Sequence, residues 1–221
     1  MTSFKLKMIA ITTMLIDHIG AVLFPDIIYF RIIGRLAFPL FAFLITEGFR
    51  KTNKEKKYMG RLFIFSLISQ IPFWMAFGND SGLNIFFTLT LALMALYFYE
   101  KYDNVLAVIL IGLLAELMHT DYGIFGVILI FFIHIYRDDF LKMIKYITAM
   151  YLVFFILPGF FSEEQFIYFL MQLFALFSFI FIKNYNGKQG YKIKYFFYFF
   201  YPVHLILLSL IADNNLLQSF F

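Results

Sequence analysis

Apolar runs of about twenty residues recur along this chain with only brief polar breaks between them, and this recurrence limits the fold more than any single motif does. A helix needs about that length of apolar sequence to cross the hydrocarbon core, because only a helix or a closed barrel satisfies its own backbone in lipid. Runs bounded by charged and turn residues give nine candidate spans, at about 5 to 24, 32 to 49, 58 to 77, 84 to 99, 104 to 119, 122 to 136, 141 to 160, 164 to 182 and 194 to 212. The runs at 84 to 99 and on either side of HTDYG are short for full crossings and read as tilted or partly re-entrant. No separate soluble domain fits between them. The expected fold is all-α: one domain over residues 1–221, a polytopic transmembrane helical bundle. Composition agrees, since 14% charged residues against 62% hydrophobic is roughly half the charge of a soluble domain. With no Cys, disulfides, thiolate metal ligands and a Cys nucleophile are excluded. Lys5 and Lys7 precede the first run as in a signal peptide, but Asp17 and His18 interrupt it and no small-residue cleavage site follows, so that run is expected to be a retained helix.

The net charge of +4 could suggest nucleic acid, yet the cations sit in short interhelical breaks and form no soluble basic face. With the N-terminus in the cytoplasm, the inner side holds Lys5, Lys7, the RKTNKEKKYMGR stretch, Lys101, Arg137, Lys142, Lys145, Lys183 and NYNGKQGYKIK. The opposite loops read FPD, FGNDSGLN, HTDYG, PGFFSEEQ and DNNLLQSFF; Arg31 and Arg35 are the only basic residues on that side. This asymmetry follows the positive-inside rule, and a bacterial cytoplasmic membrane is the expected location. The Lys51, Lys54, Lys56, Lys57 and Arg61 cluster suits anionic headgroups or a polyphosphorylated cytosolic donor.

Ionisable groups within spans cost at least about 2.5 to 3.5 kcal/mol each on insertion scales, so they face the protein interior or a water-filled cavity. Asp17 and His18 lie late in the first span, where a carboxylate could orient an imidazole as general base, although helix neighbours point about 100° apart. Arg31 and Arg35 share a helix face at i, i+4 and repel unless an anion sits between them: Asp17, Asp26, Asp121 or a ligand phosphate or carboxylate. The plainer reading is an arginine pair snorkelling to headgroups. His119, Asp121 and Tyr122 form an outer turn in which Asp121 could equally cap the next helix, and Glu116 shares a face with His119. His204 follows Pro202, which frees a backbone carbonyl and can turn the imidazole inward, as catalyst or as a hydrogen-bonded core residue. His134, one turn from Arg137, reads as interfacial. Ser66, Gln70 and Asn84 suit interhelical hydrogen bonds, and Glu47 is placed to pair with Arg50 at i+3. A metal site from Asp17, His18, His119 and His204 competes with these readings, but its ligands would come from three distant segments, so no metal is expected.

Taken together, LKMIAITTMLIDHIGAVLFP, RIIGRLAFPLFAFLITEGF, RLFIFSLISQIPF after the basic loop, NIFFTLTLALMALY, DYGIFGVILI and FFYPVHLILL resemble the TraX family, membrane proteins named for acetylation of conjugative pilin. The combination of DHIG, RxxGRxxFPxFAFxxxEGF and DYGxxGV is specific, and the likeness runs from Leu6 to about Leu208. The resemblance implies an acyltransferase using acetyl-CoA. TraX proteins also look similar to the acyltransferase-3 family, in which a basic residue, ten positions and a histidine mark the first helix; Lys7 and His18 have that spacing, though the chain is shorter than that family's ten-helix core.

The expected function is therefore transfer of an acetyl group from cytoplasmic acetyl-CoA to an amine or hydroxyl of an extracytoplasmic acceptor: a pilin-like N-terminus, a glycan or a lipid headgroup. His18, Asp17, His119 and Asp121 are the catalytic candidates, with His18 as base or acyl carrier. Arg31, Arg35, Gln70, Asn84, Tyr122, Glu47, Arg50 and His204 are the binding candidates. Expected partners are acetyl-CoA or another acyl-CoA, the acceptor and the lipid bilayer, with self-association into a homo-oligomer left open and no nucleic acid. A proton-coupled transporter would use the same buried Asp, His and Arg residues. A non-enzymatic assembly factor for small hydrophobic subunits would leave the cluster dispensable.

Overall fold

In the computed structural model, residues 1–157 and 163–213 are described; most of the PGFFSEEQ loop and the tail after Asp213 lie outside them. Among the described residues the chain forms nine helical segments: α1 Ser3–Leu23, α2 Ile28–Arg50, α3 Glu55–Phe77, α4 Ile85–Tyr102, α5 Val105–Leu117, α6 Gly123–Ile135, α7 Phe140–Tyr151, α8 over 163–183 and α9 Lys194–Asp213. The all-α bundle expected from the apolar runs is what forms. α1, α2, α3 and Tyr195–Asp213 within α9 are long and apolar enough to cross a membrane. α5 and α6, at 13 residues each, span only about 20 Å at helical rise and stop short of a full crossing. α2 tightens at Arg35 and Leu36, and α8 passes through a 3-10 turn at Leu173–Phe177.

The faces sort as a bilayer requires. On α3, Phe63, Ile64, Leu67, Ile68, Ile71 and Trp74 are exposed, while Ser66, Ser69 and Gln70 on the other face are buried. α5 exposes Leu106, Ile109, Leu110, Leu113 and Leu117. In water such continuous apolar faces would drive aggregation, whereas against lipid they cost nothing. Small residues let α1 and α2 approach closely: a Cβ at Gly20 would collide with Phe30, and one at Gly34 with the Asp17 carboxyl.

Contacts between loops define two ends. At one, the Ser3 and Phe4 N–H groups donate to Lys188 and Gln189 carbonyls at 2.9 and 3.0 Å, and Lys51 reaches Tyr185 and the Gly187 carbonyl at 2.9 and 3.0 Å. Glu47 there pairs with Arg137 at 2.5 Å and Lys51 at 2.9 Å, and Arg50 with Asp138 at 2.8 Å. The Glu47–Arg50 pair expected at i+3 does not form; Lys51 and Arg137 take both carboxylate oxygens, and Arg50 turns to the α6–α7 loop, where its hydrogen bond holds the Asp138 carboxyl below its usual range. His134 is a buried residue at this end, its Nε2 2.5 Å from Glu100. At the other end the α3–α4 loop meets the α5–α6 turn: Leu83 N–H donates to the His119 carbonyl at 2.9 Å and Asp121 N–H to the Leu83 carbonyl at 2.8 Å. The basic breaks thus gather at the first end, and FGNDSGLN with HTDYG at the second.

Candidate functional site

Two side chains leaving α1 in different directions organise the second end. Asp17 faces α2, where its two oxygens accept from Arg31 at 2.7 Å and Arg35 at 2.8 Å. Arg35 and Asp17 are 11% and 13% exposed and Arg31 34%, so this is a largely buried carboxylate clamped by two guanidinium groups. Asp17 is thus the anion that the arginine pair needs, and headgroup snorkelling is not required to account for the pair. His18 points about one hundred degrees away, as consecutive helix positions must. It meets α9 instead: His18 Nδ1 lies 2.7 Å from His204 Nε2. The expectation that Asp17 orients His18 gives way to an imidazole pair, because both oxygens of Asp17 are committed to arginines.

Gln70 and Asn84 form a closed lock. Asn84 is fully buried, donates to Gln70 Oε1 at 2.7 Å and to the Ser66 carbonyl at 2.8 Å, and caps α4 by accepting from Phe86 N–H at 3.0 Å. Gln70 donates to the Gly82 carbonyl at 2.9 Å. Each group is satisfied within the protein, so this pair reads as the interhelical glue that spacing allowed. Tyr122 stacks on Phe38 with centroids 3.8 Å apart, and Thr88 Oγ1 donates to the Asp121 carbonyl. The capping expected of Asp121 falls to Glu116, whose carboxylate accepts from Ile124 N–H at 3.0 Å. His119 ends up exposed, in a left-handed turn with φ +49°. Among the described residues no group of three His, Asp or Glu side chains converges as a metal cage.

A cavity of about 1440 Å³ joins the two ends. Lys7, Lys51, Arg61 and Lys192 line it at the first, and Asp17, His18, Arg31, Arg35, His119, Asp121 and Tyr122 at the second. Its middle is walled by Phe38, Phe41, Leu44, Phe73, Phe77, Phe86 and Tyr201. Of the basic cluster at 51 to 61, Lys51 and Arg61 reach the cavity. Lys7 lies 5.1 Å over the Phe197 ring, and Arg61 packs over Tyr58 and Tyr198 at 5.2 and 5.7 Å. Tyr191 and Lys192 also line the cavity, and the sequence carries no sign of it, since a polar loop has no periodicity to show that it folds over a cavity mouth.

The family model described as "TraX protein" matches residues 3–212. A probable fimbrial assembly protein FimC, serogroup H1, of Dichelobacter nodosus is 34% identical, over 94% of this chain and 94% of its own. Protein TraX of Escherichia coli (strain K12) is 28% identical over 61% of this chain and 56% of its own. The uncharacterized protein RP591 of Rickettsia prowazekii (strain Madrid E) is 34% identical over 43% and 37%. No solved structure matches. The chain belongs to the TraX family.

Proposed function

We propose that this protein transfers an acyl group, acetyl in the simplest case, from cytoplasmic acyl-CoA through the bundle to an amine or hydroxyl presented at the opposite membrane face. The observation that carries this reading is a cavity with cations at one mouth and the His18 and Asp17–Arg31–Arg35 groups at the other. Phosphates and an adenine suit Lys7, Lys51, Arg61 and Lys192 with the Tyr58, Tyr191 and Tyr198 rings. The aromatic middle suits a pantetheine arm. Lys7 and His18 are eleven residues apart on one helix, roughly 16 Å at helical rise, within reach of that arm when extended. The acceptor's N–H or O–H gives its proton to His18 as the nitrogen or oxygen attacks the thioester carbonyl; the C–S bond breaks, and the CoA thiolate recovers the proton from His18. The names of the fimbrial and TraX relatives favour the N-terminal amine of a pilin-like subunit as acceptor over a glycan or lipid headgroup. The location is a bacterial cytoplasmic membrane, with the basic end in the cytoplasm.

The test is labelled acetyl-CoA presented to the purified protein in liposomes together with cell-envelope acceptors. Saturable binding and transfer of label to an acceptor are expected; neither binding nor transfer by folded protein overturns the reading. Arg61→Gln with Lys192→Gln is expected to weaken acyl-CoA binding by roughly tenfold or more, the cost of losing a charge-assisted phosphate contact, as measured by titration. Orientation is tested on its own. The natural chain has no Cys, so Asn53→Cys and Asp80→Cys each offer one thiol. In intact cells an impermeant maleimide is expected to label the second and spare the first; the reverse pattern would invert the donor and acceptor sides.

A further inference from the structure

The His18–His204 pair assigns a proton. Phe200, one turn before His204 on α9, places its carbonyl oxygen 2.7 Å from His204 Nδ1. A carbonyl only accepts, so Nδ1 carries the hydrogen and, in a neutral ring, Nε2 is bare. Facing that bare nitrogen at 2.7 Å is His18 Nδ1, which must therefore donate. The two rings are 6° from parallel with centroids 5.0 Å apart, which sets the facing nitrogens close to the line between the rings, an in-line hydrogen bond and not a face-to-face stack. His204 is 5% exposed and sits behind His18, which lines the cavity. Phe200 covers the His204 ring, and Phe77 and Tyr201 meet the His18 ring edge-on.

We infer that His204 is a positioning residue that holds His18 in its Nδ1–H tautomer and so presents Nε2 as the proton-accepting atom in the cavity. This rests on the acyl-transfer reading for its use, though not for its geometry. In many enzymes a carboxylate holds the histidine in this way. Here a carboxylate beside His18 would be captured by Arg31 or Arg35, as Asp17 is; a neutral imidazole anchored on a backbone carbonyl is not drawn to a guanidinium. When His18 takes a proton at Nε2, its Nδ1–H still points at His204, so no other proton has to move.

The experiment is nitrogen-15 NMR of histidine-labelled protein in lipid nanodiscs, with the four histidines assigned by single replacements. Wild-type His18 is expected to be protonated at Nδ1 and bare at Nε2. His204→Leu removes the acceptor and is expected to release His18 from that tautomer, whereas His204→Gln, whose amide oxygen can stand in for Nε2, keeps it. A wild-type His18 protonated at Nε2, or a tautomer unmoved in His204→Leu, overturns the inference; should the Leu variant not fold, the wild-type spectrum decides. Transfer is a second readout: a loss on the order of 100-fold is expected in His204→Leu and recovery to within about tenfold in His204→Gln, with acyl-CoA affinity unchanged in both. The spectrum needs no turnover. Failure of the acyl-transfer reading would leave the tautomer result intact, and the wrong tautomer in an active enzyme would remove His204's role alone.

Discussion

His18→Ala is expected to abolish transfer of label from acetyl-CoA, by about 100- to 10,000-fold, while leaving acyl-CoA binding within a few-fold of wild type. The magnitude follows from the position of the residue. His18 and His119 are the imidazoles lining the cavity in the half opposite the cationic mouth, but only His18 is backed by a second imidazole, and His204 behind it cannot substitute without moving toward the cavity. Binding is retained because the groups assigned to the CoA phosphates line the other end of the cavity, Lys7 among them eleven residues before His18 on α1. Alanine also leaves the Nε2 of the buried His204 without its partner, so a loss of stability of about 1 to 3 kcal/mol accompanies the loss of transfer. Equal losses of binding and transfer would mean a misfolded variant or a donor seated elsewhere. Transfer at the wild-type rate would remove His18 from the chemistry and, with it, the assignment of the second end as the reacting end.

Much of the architecture could be read from residues alone, because two physical demands act on every segment at once. A backbone in lipid must close its hydrogen bonds locally, which turns each apolar run into a helix, and cations resist translocation, which sorts the breaks between runs. α1, the Ile28–Arg50 helix, α3 and the final helix appear close to their expected limits. The site was legible as a set of members but not as a set of partners. Asp17, His18, Arg31 and Arg35 stood out because ionised groups at bilayer depth need an explanation, and the i, i+4 spacing of the arginines foretold an anion between them. That the anion is Asp17, and that His18 is thereby released to His204, depends on how α1 sits between α2 and α9. His18 and His204 are 186 positions apart, and no periodicity links them. Glu47 shows the same limit: Lys51 at i+4 was within helical reach, but Arg137, 90 positions on, was not readable from spacing. Asn84 and Gln70 went the other way, as candidate substrate donors whose hydrogen bonds are consumed within the protein.

Asp17→Asn is expected to produce the largest loss of stability of any single change in the bundle. The amide keeps the shape of the carboxylate but removes the charge that Arg31 and Arg35 both contact directly, leaving two guanidinium groups one turn apart with Arg35 almost wholly enclosed. Breaking a buried ion pair by removing one partner costs about 3 to 5 kcal/mol, because the remaining charge is left unpaired, and here two charges are left. For a chain of this size that corresponds to a fall in thermal midpoint on the order of 10 °C, read by size-exclusion after heating in detergent. Arg35→Gln on the Asp17→Asn background should recover part of the loss, since one surplus cation is removed from the enclosed site. Gly34→Ala offers an independent route to the same failure, as its Cβ would enter the space of the Asp17 carboxyl without altering any charge. If Asp17→Asn melts with wild type, the clamp is not what joins α1 to α2, and the pair's anion must be sought in Asp121, which lines the same end of the cavity, or in a ligand. If Asp17→Asn and Gly34→Ala both fall and Asp17→Asn/Arg35→Gln rises, the arginine clamp is what fixes the rotation of α1, and hence what turns His18 away from α2 and toward His204.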